Sequence, residues 1–126
     1  MEVGPKDPQF YVSADGKALA QIWLDGLQDL LAEAAIIARL ARIRRGLLGD
    51  CERYGEVTEL RVHHGPGYRL YAVEDGEVLV VLLCGGDKSG QKKDFKKARR
   101  LANDYQKEKR AGTAKLRPVS DEAIEK

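Results

Sequence analysis

The longest unbroken apolar run in the chain, from Val78 to Cys84, limits the folds that are open to it. A membrane-spanning helix needs about 18 such residues, so this run of seven is too short to cross a bilayer. An apolar run that does not alternate with polar residues is typical of a central β-strand covered on both faces. Turn signals bound it, Asp75-Gly76 before it and Gly85-Gly86-Asp87 after it. We therefore expect a sheet built around this strand.

Polar and apolar residues alternate in the segment that precedes the run. The alternation extends from Val57 to His64, and Tyr68 to Val73 forms a second candidate strand. Gly65-Pro66-Gly67 joins the two as a tight connection. Together with the apolar run, these segments predict a three-stranded antiparallel meander.

Apolar residues at spacings of three and four predict two helices before this meander and one after it. The stripes are Leu19, Ile22, Trp23 and Leu27; Leu30, Ala34, Ile37 and Ala41; and Phe95, Ala98, Leu101, Ala102 and Tyr105. A short strand over Gln9–Ser13 precedes the first helix. This order predicts an α+β fold in which the helices pack on one face of a small, mainly antiparallel sheet.

The length of 126 residues, 43% of them apolar, predicts one domain with a hydrophobic core. Residues 1–8 contain Gly4, Pro5 and Pro8 and are expected to form a flexible leader. The domain itself is expected over residues 9–110. Residues 111–126 have little apolar periodicity, which favours a flexible tail.

The cysteines and the N-terminal residues indicate the cellular compartment in which the protein is expected. Cys51 and Cys84 lack the spacing of a zinc site, and no apolar signal segment is visible at the N-terminus. We therefore expect a reduced, cytoplasmic protein with no metal site.

Charge is distributed unevenly, although 22 basic and 20 acidic residues sum to only +2. Between Asp87 and Arg110 there are ten Lys and Arg against four Asp and Glu, a local excess of +6. Such a segment can be an ordinary solvated helix, a surface that docks on an acidic protein, or a surface that binds nucleic-acid phosphates.

Hairpin geometry assigns residues of the meander to faces. A three-residue loop over Gly65–Gly67 would pair His63 with Arg69 and Arg61 with Tyr71. This register predicts one apolar face, made of Leu60, Val62, Leu70, Ala72, Leu79, Val81 and Leu83. It gathers Arg61, His63, Arg69 and Tyr71 on the opposite face.

This polar cluster has two interpretations. It can be an ordinary solvated sheet face, in which Glu59 pairs with Arg61. Alternatively, it binds phosphate, because a guanidinium group presents a planar fork to phosphate oxygens. Tyr or His could then stack on an unpaired base.

Two short motifs, at a particular spacing in the chain, also indicate a resemblance to a known protein family. Residues 59–71 contain GPGYR and residues 82–91 contain CGGDKS. In this combination they resemble the HigB-like addiction-module killer proteins of the RelE/ParE toxin superfamily. Residues 23–27 and 38–43 resemble the helical hairpin of the same family, and the likeness extends over about residues 9–106. It implies a RelE-like fold with a helical hairpin and a C-terminal helix on the sheet.

The resemblance also implies a function, that of the toxin of a type II toxin–antitoxin system. Such toxins commonly bind the ribosome and cleave mRNA, and an antitoxin, here expected to be of the helix-turn-helix type, neutralises them. RelE-like nucleases use the 2′-OH of the substrate as nucleophile and need no metal or other cofactor. Operator DNA is expected as a partner only through the antitoxin complex, and no membrane partner is expected.

The resemblance assigns roles to individual residues. The expected catalytic residues are Arg69, Arg61, His63 and Lys88, and the expected substrate-binding residues are Tyr71, Lys92 and Lys93. Arg69 matches the family's catalytic arginine. His63 is expected to transfer a proton, because a free imidazole titrates near neutral pH. Phe95 stands where some relatives carry a tyrosine.

Two other functions stay open. The ParE branch of the superfamily inhibits DNA gyrase without enzymatic chemistry, and such an inhibitor does not need a basic sheet face for a reaction. The third possibility is a degenerate module that binds only its antitoxin and operator DNA.

Overall fold

The computed structural model describes residues 4–120, which form three helices and a six-stranded sheet. The strands are β1 (Asp7–Val12), β2 (Cys51–Tyr54), β3 (Val57–Val62), β4 (Tyr68–Asp75), β5 (Leu79–Asp87) and β6 (Lys115–Pro118). The helices are α1 (Leu19–Asp25), α2 (Leu30–Arg44) and α3 (Gln91–Ala111), and one 3₁₀ turn (Lys88–Gly90) joins β5 to α3. The predicted α+β class is confirmed.

The sheet has the strand order β2-β3-β4-β5-β1-β6. β1 runs parallel to β5, and the other neighbouring pairs are antiparallel. β5 carries the apolar run, and its residues from Val80 to Cys84 are all buried. The prediction of a strand covered on both faces is therefore confirmed. None of the helices in residues 4–120 is long and apolar enough to span a membrane.

The helices cover both faces of the sheet, so the prediction that they share one face is wrong. α1 and α2 lie on one face, where Ile36 and Leu40 pack with Leu60 and Leu70. α3 lies on the other face, where its Leu101 contributes to a second core cluster. A strand as apolar as β5 exposes hydrophobic surface on each side, and burying both sides requires a helix layer on each.

The side chains of β5 are also distributed between the two faces of the sheet differently from the prediction. Val80 and Leu82 belong to the core beneath α1 and α2, whereas Val81 and Leu83 belong to the core beneath α3. Leu79, which was also predicted on the Leu60 face, packs partly buried against the α3 core. The pairing of β4 with β5 shifts between Tyr71 and Ala72, an irregularity that periodicity alone does not reveal.

Strands lie within both the predicted leader and the predicted tail. β1 begins inside the expected leader, at Asp7, and β6 lies inside the expected tail and pairs antiparallel with β1. Val119, just after β6, is buried in the core. The folded domain therefore extends beyond the predicted residues 9–110 at both ends, and residues 1–3 and 121–126 lie outside the described residues.

Candidate anion-binding site

The register of β3 and β4 places two arginines directly opposite each other. Arg61 pairs with Arg69, and Val62 pairs with Tyr68, so the predicted pairs of His63 with Arg69 and of Arg61 with Tyr71 are wrong by two residues. The connection is longer than three residues because His63 and His64 belong to it. A shift of two keeps every side chain on its predicted face of these two strands, since side chains alternate with a period of two.

Glycines shape this connection. Gly65 and Gly67 have φ values of 54° and 81°, a backbone region that residues with a Cβ rarely adopt. The carbonyl of Gly67 accepts a hydrogen bond of 2.9 Å from the backbone N–H of Lys88. The loop is thereby fixed against the start of the 3₁₀ turn, which brings Lys88 beside the paired arginines.

A buried carboxylate lies beneath the arginines. The side chain of Glu59 is only 1% exposed, and its Oε1 accepts a hydrogen bond of 3.0 Å from Arg61 Nε. The same oxygen lies 3.7 Å from Arg69 Nε. Gln91 Nε2 donates to the other oxygen, Oε2, at 3.0 Å. Glu59 therefore holds both guanidinium groups in place, and its hydrogen bond raises the pKa of Arg61.

Arg69 is the more enclosed of the two arginines. Its side chain is 13% exposed, and its buried Nε makes no hydrogen bond to any part of the chain that the structure describes. Arg61 is more open and has further partners, with Nη2 3.3 Å from the Tyr54 hydroxyl and 3.6 Å from a carboxylate oxygen of Glu52.

A recess of about 330 Å³ opens above these groups. Its lining includes all four residues that were predicted as catalytic: Arg61, His63, Arg69 and Lys88. The lining contains two guanidinium groups and one ammonium group and no carboxylate, so an anion is the ligand it suits. Glu59, Glu52 and Asp50 lie outside the lining and pair with residues of it. Within residues 4–120, no cluster of three or more His, Cys, Asp or Glu side chains could hold a metal ion.

His63 lies at the rim of this recess. Its side chain is 76% exposed, and its Nε2 lies 2.5 Å from Asp50 Oδ2. This hydrogen bond lowers the pKa of Asp50. His64 lines the same recess, and its Nε2 lies 3.4 Å from Asp29, whose side chain caps the N-terminus of α2. Both histidines of the connection thus lie at this recess, each beside a different carboxylate.

The predicted substrate-binding residues are separated by the fold. Tyr71 is completely buried beneath α3, its hydroxyl donates to the carbonyl of Gln91 at 3.5 Å, and burial raises its pKa. The expectation that Tyr71 stacks on a base is therefore wrong, because no face of its ring reaches solvent. Lys92 lines a second recess, which also contains Phe95, while Lys93 is exposed on α3.

Sequence reasoning treated Glu59 only as an ordinary partner of Arg61. The alternation did place Glu59 on the same face as the two arginines, which is a usable signal. Its burial depends on α3, because Gln91 is the first residue of that helix and closes over the carboxylate. That contact joins residues 32 positions apart and leaves no trace in local periodicity.

Comparison with known proteins provides one informative relative. An uncharacterized protein of Haemophilus influenzae is 47% identical over 83 residues, which cover 65% of this chain and 84% of that protein. No protein-family model matches the chain, and no solved structure matches it significantly. Identity of this extent over most of the relative's length shows common descent, so this chain belongs to the same family as the Haemophilus influenzae protein.

Proposed function

We propose that this protein is the toxin of a type II toxin–antitoxin system, with a RelE-like fold, acting in the cytoplasm as a ribosome-dependent mRNA endonuclease. The observation that supports this most strongly is the recess in which Arg61, Arg69 and Lys88 converge beside His63. The GPGYR and CGGDKS motifs add to it, because they form the loop and the strand end that bring these side chains together.

The proposed reaction needs only groups that the recess and the substrate supply. The 2′-oxygen attacks the adjacent phosphorus while the bond from phosphorus to the 5′-oxygen breaks, leaving a 2′,3′-cyclic phosphate and a free 5′-hydroxyl. The phosphorane that forms on the way carries additional negative charge. Arg61, Arg69 and Lys88 would stabilise that charge, and Glu59 holds the two arginines in position before the substrate binds.

Proton transfer completes the chemistry. The 2′-hydroxyl must lose a proton and the leaving 5′-oxygen must gain one. His63 and His64 both line the recess, and we assign the proton transfer to His63, because its side chain is the more exposed of the two and can reach a bound strand. Glu59 is already hydrogen bonded through both oxygens, so we assign it the role of holding the guanidinium groups.

The partners follow from the same proposal. The basic segment around α3, with its local charge of +6, offers a surface for the RNA of the ribosome and the mRNA. A neighbouring helix-turn-helix antitoxin would neutralise the toxin and carry the complex to operator DNA.

Substitution of Arg69 by alanine tests the proposal. We expect Arg69→Ala to abolish growth arrest on induction and to lower cleavage of ribosome-bound mRNA at least about 100-fold, because a charge-stabilising group is removed from the transition state. Primer extension on mRNA from induced cells measures the cleavage. Arg53→Ala is the matched control, because Arg53 is an exposed arginine of the same sheet whose partner is Glu74, outside the recess.

The outcomes separate the three functions. Intact ribosome-bound mRNA in the presence of toxic wild-type protein would overturn the nuclease proposal. Inhibition of DNA supercoiling by the purified protein would then identify a gyrase inhibitor. Normal growth on induction without antitoxin would instead favour a module that only binds its antitoxin and operator DNA.

A further inference from the structure

A second recess of about 350 Å³ adjoins the arginine recess. It lies between the end of β2 and the first two turns of α3, and its lining is Tyr54, Glu59, Gln91, Lys92 and Phe95. Glu59 connects the two recesses, since its carboxylate lines the second recess and accepts a hydrogen bond from Arg61, which lines the first. Anything bound in one recess therefore lies next to the other.

Two aromatic rings line the second recess. Tyr54 and Phe95 meet edge to face, with ring centroids 5.2 Å apart and planes at 76°. Arg61 Nη2 donates to the Tyr54 hydroxyl at 3.3 Å, and Phe95 packs in turn on the buried ring of Tyr71. The rings are thus held in one arrangement, although Tyr54 is 42% exposed at the end of an edge strand.

The polar groups of the second recess are few and mostly occupied. Glu59 accepts hydrogen bonds at both oxygens, and the amide nitrogen of Gln91 supplies one of them. Lys92 is exposed at the rim and carries a charged donor. The recess therefore suits a flat aromatic group that has a hydrogen-bond acceptor on its edge and a negative charge attached nearby.

We propose that the second recess binds the base of an unpaired nucleotide, and favours a purine, while the phosphate next to that base lies against Arg61 and Arg69. The inference rests on the proposed function and names a subsite for its substrate. A base stacks on the ring of Tyr54, and Lys92 donates to the N7 or O6 acceptors of a purine. The charge of the adjoining recess favours a nucleotide over an aromatic side chain of a protein partner.

A binding experiment on the full chain tests this subsite without any cleavage. The probe is a single-stranded, 2′-O-methylated hexamer of uridines in which one base is 2-aminopurine, so that no 2′-OH is available for reaction. Stacking on a protein ring quenches 2-aminopurine fluorescence. We expect quenching with the wild-type protein, and a dissociation constant about tenfold higher with loss of quenching for Tyr54→Ala.

Matched variants separate stacking from charge and from folding. Tyr54→Phe should keep the quenching because it keeps the ring. Arg53→Ala, the neighbouring position of the same strand, should bind and quench like the wild type. Arg69→Ala should weaken binding but leave the quenching of the bound probe unchanged. Lys92→Ala, at an exposed helix position, should reduce the preference for this probe over an all-uridine hexamer.

Two results would overturn the subsite. One is wild-type affinity and quenching by a folded Tyr54→Ala protein, with folding checked by circular dichroism. The other is a Lys92→Ala protein that still prefers the 2-aminopurine hexamer over the all-uridine hexamer as strongly as the wild type does. This second result decides the question even if Tyr54→Ala does not fold. Failure of the nuclease proposal alone would give a different result from failure of the subsite. The 2-aminopurine probe would still be quenched by the wild-type protein, while ribosome-bound mRNA stayed intact.

Discussion

Arg39 shows how a single buried side chain can organise the candidate site from outside it. It lies on α2 and is 4% exposed. Its Nη1 and Nη2 donate to the carbonyl of Arg61 at 2.8 and 2.6 Å, and Nη2 also donates to the carbonyl of Asp50 at 3.0 Å. Desolvation by burial lowers its pKa. Arg39 thus connects α2 to the backbone of Arg61 and to the residue that binds His63.

Replacement of Arg39 by alanine should destabilise the fold. We expect Arg39→Ala to lower the free energy of unfolding by about 2–4 kcal/mol, because the carbonyl of Arg61 loses both of its guanidinium donors and the loss of a buried side chain opens a cavity. Urea denaturation followed by circular dichroism measures the change. Arg42→Ala, an exposed position one turn later on the same helix, should change it by less than about 0.5 kcal/mol.

Equal effects of the two substitutions would contradict this role for Arg39. A guanidinium group that is buried against backbone carbonyls cannot be recognised in the sequence, where Arg39 is one of several arginines near the end of a helix. The recess residues were more accessible to prediction, because Arg61, His63 and Arg69 follow the strand alternation.

At the scale of elements, two adjacent glycines in β5 let helices approach the sheet from opposite sides. A Cβ on Gly85 would lie 2.2 Å from the ring of Trp23 in α1. A Cβ on Gly86 would lie 2.0 Å from a carboxylate oxygen of Asp94 in α3. The CGGDKS motif therefore has a packing role in addition to carrying Lys88 to the recess.

The two glycines should differ in their tolerance of alanine. Gly85→Ala should lower the free energy of unfolding by about 1–3 kcal/mol, because the bulky ring of Trp23, which packs partly buried against the core and beside Tyr68, must shift to admit the Cβ. Gly86→Ala should lower the free energy of unfolding by less, since the carboxylate of Asp94 is the end of a flexible side chain and can rotate away. Thermal unfolding of both variants measures the difference, and the reverse order would show that α3 is the more rigid neighbour.

For the whole molecule, the last described segment of the chain supplies the edge strand of the open sheet. β6 covers the outer edge of β1, and Val119 after it packs in the core with Phe10 and Leu40. Arg44 Nη2 donates to the carbonyl of Val119 at 3.1 Å, which connects this segment to the end of α2. The segment therefore belongs to the folded domain.

A substitution at Val119 tests this conclusion. Val119→Ala should lower the free energy of unfolding by about 2 kcal/mol, because two buried carbons are lost and a cavity remains. Ser120→Ala, at the exposed neighbouring position, should have almost no effect. Urea denaturation measures the free energy of unfolding of both variants. An unchanged value for Val119→Ala would mean that the segment contributes little to the core.

The sequence by itself determined the features that repeat locally. The unbroken run predicted a strand buried on both faces, and the alternation placed Arg61 and Arg69 on one face of the sheet. Tertiary structure alone decided which helix covers which face, the pairing of Arg61 with Arg69, and the burial of Glu59, Tyr71 and Arg39. These features depend on contacts between segments that are distant in the sequence. Such contacts are stabilised by the surface that the two segments bury together, and the periodicity within one segment does not reveal which segment it packs against.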